Sequence, residues 1–226
     1  MLVRGMVERR GRLSIAALLL AGIVLVWPVG PGHARAATAP EVLSEADQAE
    51  LEQVEQYLNS VKTLRAGFVQ TSSNGEVSRG TLYLSRPGKL RIDYDPPVPI
   101  QVMANGNFLV YYDRSLEQVS YVPVSSTPAS VLLEKHISLS DPQLQVMGVE
   151  NDQNMLRVHI IRRHNPGEGS ITLSFLKDPL ALFEWTMIDA QGLETSVALD
   201  APVTNSSIDA GLFQFKDPRP LEGNRP

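Results

Sequence analysis

From residue 44 onward, apolar residues recur first with a helical period and then with a period of two. Leu51, Val54, Leu58 and Val61 follow Ser44, Glu45 and Asp47 at spacings of three and four, the pattern of an amphipathic helix with a capping hydroxyl and an acidic first turn. A helix is predicted over 45–61. Leu64, Ala66 and Phe68 then alternate with Arg65, Gly67 and Val69, Asn74-Gly75 offers a hairpin turn into Val77–Leu84, and Arg86-Pro87-Gly88 turns the chain again. In the next strand Leu90, Ile92 and Tyr94 face one way and Lys89, Arg91 and Asp93 the other, as in a sheet wetted on one side. The prolines at 96, 97 and 99 end it.

Gln101–Ala104 and Asn107–Tyr112 flank Asn105-Gly106, the strongest hairpin signal in the chain, and Glu117–Val124 follows. Thr127-Pro128 ahead of Val131, Leu132 and Leu133 predicts a second, short helix capped by Thr127. Leu144–Glu150, Met155–Arg162, Ser170–Leu176, Phe183–Ala190, Glu194–Leu199 and Leu212–Phe215 bring the strand candidates to about twelve. So many strands, each apolar on one face, need a covering layer. Two sheets packed together would supply it, as would one curved sheet around helices or an enclosed space. The few, asymmetrically placed helices favour a mainly β (α+β) fold, a curved antiparallel sheet covered by helices.

Residues 1–36 form a separate segment. Arg4, Arg9, Arg10 and Arg12 precede the apolar run Ile15 to Trp27, and Ala34-Arg35-Ala36 places small residues at a cleavage site. Basic head, short apolar middle and small residues together predict a secretory signal cut between Ala36 and Ala37. The 13-residue run falls short of the about 20 needed to cross a bilayer as a helix. An ordinary secretory route to the periplasm is expected, the residues after Arg9-Arg10 supporting twin-arginine export poorly.

The 226 residues include no Cys, which excludes thiol nucleophiles, Cys-ligated zinc, iron–sulfur clusters, disulfides and a lipidated cysteine. The formal net charge is −5, and residues 1–36 hold five Arg against one Glu, so the remainder carries −9. Such a chain has no general attraction to nucleic acid or anionic lipid, and no stable membrane insertion is expected. Apolar contact is the expected mode of binding.

The histidines beyond the signal, His136, His159 and His164, belong to no metalloprotease, nucleophile-elbow, phosphate-loop or EF-hand motif. Alternation with Val158 and Ile160 puts His159 on the wet face. Asp93 and Asp95 read equally as strand polarity or as an acid/base pair. No catalytic residue, metal ligand or cofactor is predicted. Arg86 is different, because period-two counting puts it on the apolar side with Leu82 and Leu84, held extended by Pro87. A guanidinium there would take helix-end carbonyls as acceptors, or it would snorkel into water at the strand end.

Gly80-Thr81-Leu82-Tyr83-Leu84-Ser85-Arg86-Pro87-Gly88, then Leu90 and Tyr94-Asp95-Pro96-Pro97, resembles the signature stretch of the LolA family of periplasmic lipoprotein carriers. Leu64-x-x-x-Phe68-x-Gln70, the Asn105-Gly106 hairpin, Leu116-Glu117-Gln118-Val119, Thr127-Pro128 with Leu132-Leu133, and Phe213-x-Phe215 match in order. The resemblance implies an incomplete, strongly curved antiparallel β-barrel of about eleven strands under a small helical lid. It would span residues 37–220, with 221–226 a short tail. Arg86 would latch the lid through helix-side backbone oxygens.

Acyl chains would lie between barrel and lid. The candidates for that lining are Phe68, Leu82 and Leu84, then Leu90, Ile92 and Tyr94, with Phe108, Val110, Leu132, Leu133 and Trp185. The implied partners are acylated lipoproteins, a loading inner-membrane ABC transporter of the LolCDE type and an outer-membrane receptor of the LolB type, the carrier acting as a monomer. LolB is itself lipidated, and the absence of Cys here favours the carrier. Leu90 stands where the family commonly has an aromatic residue, and the family's Pro-x-Gly is missing after Phe215. Two other readings are a sensing domain like the LolA-like half of RseB, which carries a further domain for which about 190 residues leave no room, and an exported hydrolase using His136 or His164.

Overall fold

The structure is a computed structural model, and it describes residues 43–217, apart from the side chains of Pro128 and Ala129. The predicted signal, its cleavage at Ala36–Ala37 and the tail 221–226 lie outside the described residues. Helix α1, Glu45–Ser60, begins where the sequence predicts. The Asp47 amide donates to Ser44 Oγ at 3.1 Å, and the Ser44 amide donates back to Asp47 Oδ2 at 2.8 Å, a reciprocal cap that pairs two of the free donors of the first turn. Val54 and Leu58 are its buried residues. The helix ends as Val61 takes an extended conformation and leads into the sheet.

Eleven strands follow: β1 Thr63–Ser72, β2 Val77–Ser85, β3 Lys89–Tyr94, β4 Ile100–Asn105, β5 Phe108–Asp113, β6 Gln118–Pro123, β7 Leu144–Asn151, β8 Met155–Arg162, β9 Gly169–Lys177, β10 Leu180–Asp189 and β11 Glu194–Thr204. They form one sheet in the order β6-β5-β4-β3-β2-β1-β11-β10-β9-β8-β7. Every neighbouring pair is antiparallel. The sheet is thus two meanders sewn together by β1 and β11. β6 and β7 are its two edges, so the barrel is open and the chain between them must pass from one edge to the other. That connection carries 3-10 turns at Val124–Ser126 and Pro128–Leu133, and residues 124–139 are called the lid below.

Two sequence expectations are corrected. The second helix is a 3-10 turn, and Thr127 does not cap it, since its hydroxyl donates backwards to the Val124 carbonyl at 2.9 Å. Val131, Leu132 and Leu133 are all buried, and packing of three consecutive residues leaves no wet face for an amphipathic α-helix. Leu212–Phe215 is no strand either. A 3-10 turn spans Ala210–Phe213, with the Gly211 amide donating to Asp209 Oδ1 at 2.9 Å. This C-terminal segment lies on the outward face of the first meander, where Arg91 Nη1 donates to the Leu212 carbonyl at 3.0 Å and the Phe215 ring meets Tyr112.

Residues directly opposite in the ladder share a face. Leu64, Leu84, Leu90 and Ala104 form one such row, and Ala66, Leu82, Ile92 and Val102 the next. Leu199, Val197 and Trp185 continue this inner face across β11 and β10, and Leu173 and Val158 carry it to β8. Helix α1 sits against it, with the Tyr57 ring edge-on to Phe175 at 6.0 Å.

Candidate functional site

Between the inner face, α1 and the lid lies a small apolar cavity of about 50 Å3. Tyr57 and Leu58 of α1 and Val61 just after it close one side, and Leu132 and Leu133 roof it. The first meander contributes Leu64, Leu82, Leu84 and Leu90, and the second Leu182, Trp185 and Leu199. Ligand pockets commonly measure about 300–1,000 Å3. The site as it stands is far smaller than such a pocket.

Arg86 stands at the rim. The last carbonyls of a helix lack partners within it, and α1 meets this need one group at a time. Ser60 Oγ donates to the Tyr57 carbonyl at 2.7 Å, Lys62 Nζ to Asn59 at 2.7 Å and Asn205 Nδ2 to Ser60 at 3.1 Å. Arg86 Nη2 takes the Leu58 carbonyl, a cation at the negative end of the helix dipole. The expectation was several carbonyls on one guanidinium. The structure shows one, and Nε and Nη1 are buried with no hydrogen-bond partner among the described residues. Burial lowers the Arg86 pKa, with Tyr57 opposing the shift. A guanidinium keeps its proton at any physiological pH even so.

The turn after Arg86 holds the roof. The Arg86 amide donates to the Lys62 carbonyl at 2.9 Å, and the Gly88 amide to Leu133 at 2.8 Å. Gly88 has φ +72° and the Gly106 Cα sits 2.7 Å from where a Cβ would be, so both conformation and space demand glycine. On the other side, Asn59 acts as a side-chain rung. Its Nδ2 donates to the Ile137 carbonyl at 2.7 Å and its Oδ1 accepts from the Ile137 amide at 2.9 Å, while Glu55 Oε2 accepts from the Leu139 amide at 2.8 Å. Helix α1 and the lid are thus pinned to each other and, through residues 86–88, to the sheet.

An eleven-stranded open sheet whose inner face is roofed by a tethered lid can be compared with known proteins. The family profile described as "Outer membrane lipoprotein carrier protein LolA" matches residues 59–216. The chain belongs to the LolA family. It is 31% identical over 185 residues to an outer-membrane lipoprotein carrier protein of Methylococcus capsulatus, covering 77% of this chain and 87% of the relative. A protein of the same name from Chromobacterium violaceum is 26% identical over 202 residues, covering 86% and 97%. The crystal structure of LolA superfamily protein NE2245 from Nitrosomonas europaea covers 73% of this chain and 97% of its own at TM-score 0.42 and 8% identity.

Of the lining residues expected in this LolA-family chain, Leu82, Leu84, Leu90, Leu132, Leu133 and Trp185 meet at the cavity. Phe68, Ile92 and Tyr94 share the inner face but stand outside that space. Phe68 packs edge-on against Tyr94 at 5.3 Å, and the Tyr94 hydroxyl donates to Gln70 Oε1 at 2.7 Å. Burial raises the Tyr94 pKa, the neighbouring Tyr111 adding to it. Phe108 and Val110 are a correction. Met103 and Val110 pair across β4 and β5, one residue out of step with the inward pair Ala104 and Leu109, so both Val110 and Phe108 face outward. Val110 is nevertheless 2% exposed, and Phe108 is 46% exposed.

Tyr57, Leu58, Val61, Leu64, Leu182 and Leu199 were not among the expected lining residues. The helical period already groups Leu58 with Val61, and the alternation through Leu64 and Ala66 groups them with Phe68, so the signal was present for three of them. His136 and His164 are exposed. His159 lies on the outward face, with Nδ1 2.9 Å from Thr172 Oγ1 and Nε2 3.0 Å from Glu150 Oε1. No cluster of His, Asp and Glu among the described residues could hold a metal. No helix among them is long and apolar enough to cross a membrane.

Proposed function

We propose that this chain carries acylated lipoproteins through the periplasm, receiving them from an inner-membrane ABC transporter of the LolCDE type and delivering them to an outer-membrane receptor of the LolB type. The observation that supports this reading is an apolar cavity, nearly collapsed, under a roof held by few hydrogen bonds. Each methylene moved into water costs about 0.8 kcal/mol, so a chain of roughly fourteen carbons costs about 11 kcal/mol. Free diffusion of such a chain is negligible, and a carrier must replace the membrane it leaves.

Opening the site, with α1 and the lid it is pinned to moving together away from the sheet, breaks the Arg86–Leu58 bond, worth about 1.5–3 kcal/mol for a charged donor, and the Gly88–Leu133 bond, worth about 1 kcal/mol. It also uncovers Leu132 and Leu133, at about 1.5–3 kcal/mol each. One acyl chain returns that much on entering, so cargo can hold the lid open. Once cargo is withdrawn, the same bonds and leucines close the site behind it.

Only the open form takes cargo, so apparent affinity scales with the open fraction. The Arg86 bond lowers that fraction and so loosens the grip. Replacing it removes about 1.5–3 kcal/mol, so cargo should be held about tenfold to a hundredfold more tightly. Arg86→Leu is therefore expected to load normally and transfer poorly to the receptor. The test is transfer of a radiolabelled lipoprotein from purified carrier to receptor, and normal transfer by the variant would remove Arg86 from this role. Mass spectrometry of protein purified from its native periplasm should find a triacylated protein bound, and its consistent absence would refute the carrier reading.

A further inference from the structure

The inward alternation that ends in Arg86 occurs a second time. Leu156, Val158 and Ile160 point inward from β8 and are 3%, 0% and 1% exposed. Two residues on, at the strand end, comes Arg162. Leu82-x-Leu84-x-Arg86 on one meander thus has a counterpart in Val158-x-Ile160-x-Arg162 on the other. Arg163, one step out of phase, is exposed.

Arg162 Nη2 donates to Ser130 Oγ. Ser130 is 3% exposed and belongs to the 3-10 turn Pro128–Leu133 of the lid. Arg162 Nε is buried without a partner among the described residues, as Nε of Arg86 is. Around it lie Val131, Ile160, Ile171 and Glu168. A guanidinium held by one hydroxyl, beside Glu168 and apolar side chains and at a strand terminus, has a single hydrogen bond to break among the described residues. When the lid lifts, its buried Nε gains water it lacks in the closed form. The arrangement suits a releasable catch better than a rigid structural pair.

We propose that Arg162 is a second catch on the lid, acting through Ser130, so that the roof is fastened to both meanders of the sheet. Arg86 and Gly88 hold α1 and Leu133 from the first meander, and Arg162 holds Ser130 from the second. The lid bridges the two edges of an open sheet, and a fastening on one side alone would let its other side lift freely. The purpose assigned to the catch rests on the carrier reading above, while its physics does not.

Arg162→Met and Ser130→Ala test the catch in the full-length processed protein, with entry of the apolar fluorophore bis-ANS followed by stopped flow. Each substitution is expected to speed entry roughly tenfold, about what loss of one charged hydrogen bond is worth, with an unchanged far-ultraviolet circular dichroism spectrum. The double variant should be no faster than either single one, because both remove the same bond. Arg162→Lys should restore much of the wild-type rate. Arg86→Leu combined with Arg162→Met should exceed both parents. Wild-type entry rates in Ser130→Ala, or additive effects of Arg162→Met and Ser130→Ala, would overturn the proposal. If Arg162→Met fails to fold, Ser130→Ala, which leaves the arginine in place, decides alone. Faster entry in a protein that carries no lipoprotein would keep the catch and refute only the carrier function.

Discussion

Phe68 and Gly80 stand opposite each other in the β1–β2 ladder, and the Phe68 ring lies over the missing side chain. A Cβ on Gly80 would fall 2.1 Å from the Asp93 carbonyl oxygen and 2.8 Å from the Phe68 ring. The backbone oxygen cannot move aside without opening the β2–β3 ladder. Gly80→Ala is expected to cost about 3 kcal/mol, the upper end of overpacking, or a fall of roughly 10 °C in melting temperature for a domain of this size. A melting curve within about 2 °C of wild type would contradict the geometry. Phe108 and Val110 show the limit of reading at this scale. Alternation states which residues share a face, and an apolar residue on the outward face looks the same as one inside. Val110 is buried on the side of the first meander against which the C-terminal segment lies, a segment about a hundred residues away in sequence. Arg162 was equally legible by the count that singled out Arg86, but only its bond to Ser130 separates it from an arginine at a strand end.

Helix α1 was the most legible element, because its start is encoded locally. Ser44 Oγ donates to Asp47 Oδ2 at 2.7 Å, and the Ser44 amide reaches the same oxygen. These two bonds, the side-chain one first, hold the Asp47 pKa below 3.8. A depressed carboxylate stabilises the fold above its unfolded value, and that contribution fades as pH falls through about 3.8 and below. Ser44→Ala should cost about 1 kcal/mol at neutral pH. Its melting-temperature deficit should shrink as pH is lowered from about 6 to about 3, since protonation removes the Asp47 part of the cap in the wild type too. A deficit constant over that range would show that the cap does not titrate with Asp47. The lid was the least legible element. Proline after threonine marks a helix start in isolation, yet its path is set by what it spans and by three consecutive buried residues, neither of which is a local property.

For the whole molecule, the contacts divide into a continuous ladder and a small set of fastenings. β1 and β11 pair over most of their length at the middle of the sheet, whereas α1 and the lid are joined to the sheet and to each other through Arg86, Gly88, Asn59, Glu55 and Arg162. Opening should therefore be a sub-global event that leaves the ladder intact. In Arg86→Leu, hydrogen exchange at the Gly88 amide, which donates to the Leu133 carbonyl, is expected to accelerate about tenfold to a hundredfold, with exchange along β1 and β11 unchanged. Equal acceleration everywhere would make Arg86 a general stabiliser with no special hold on the lid. The resemblance to the LolA family anticipated the number of strands and the open barrel, because ordered short motifs reflect a shared topology that alternation alone does not specify.

The helix and its cap, the hairpin turns at Asn74-Gly75 and Asn105-Gly106, and the division of each strand into an apolar and a polar face were determined by the sequence itself. They depend on residues a few positions apart, and their chemistry acts within one turn or one ladder step. Which face became the interior, which leucines meet under the lid, how little space they leave and what Arg86 and Arg162 hold were decided only by tertiary structure. Those properties come from segments brought together across the sheet, where partner, distance and desolvation depend on the whole path of the chain.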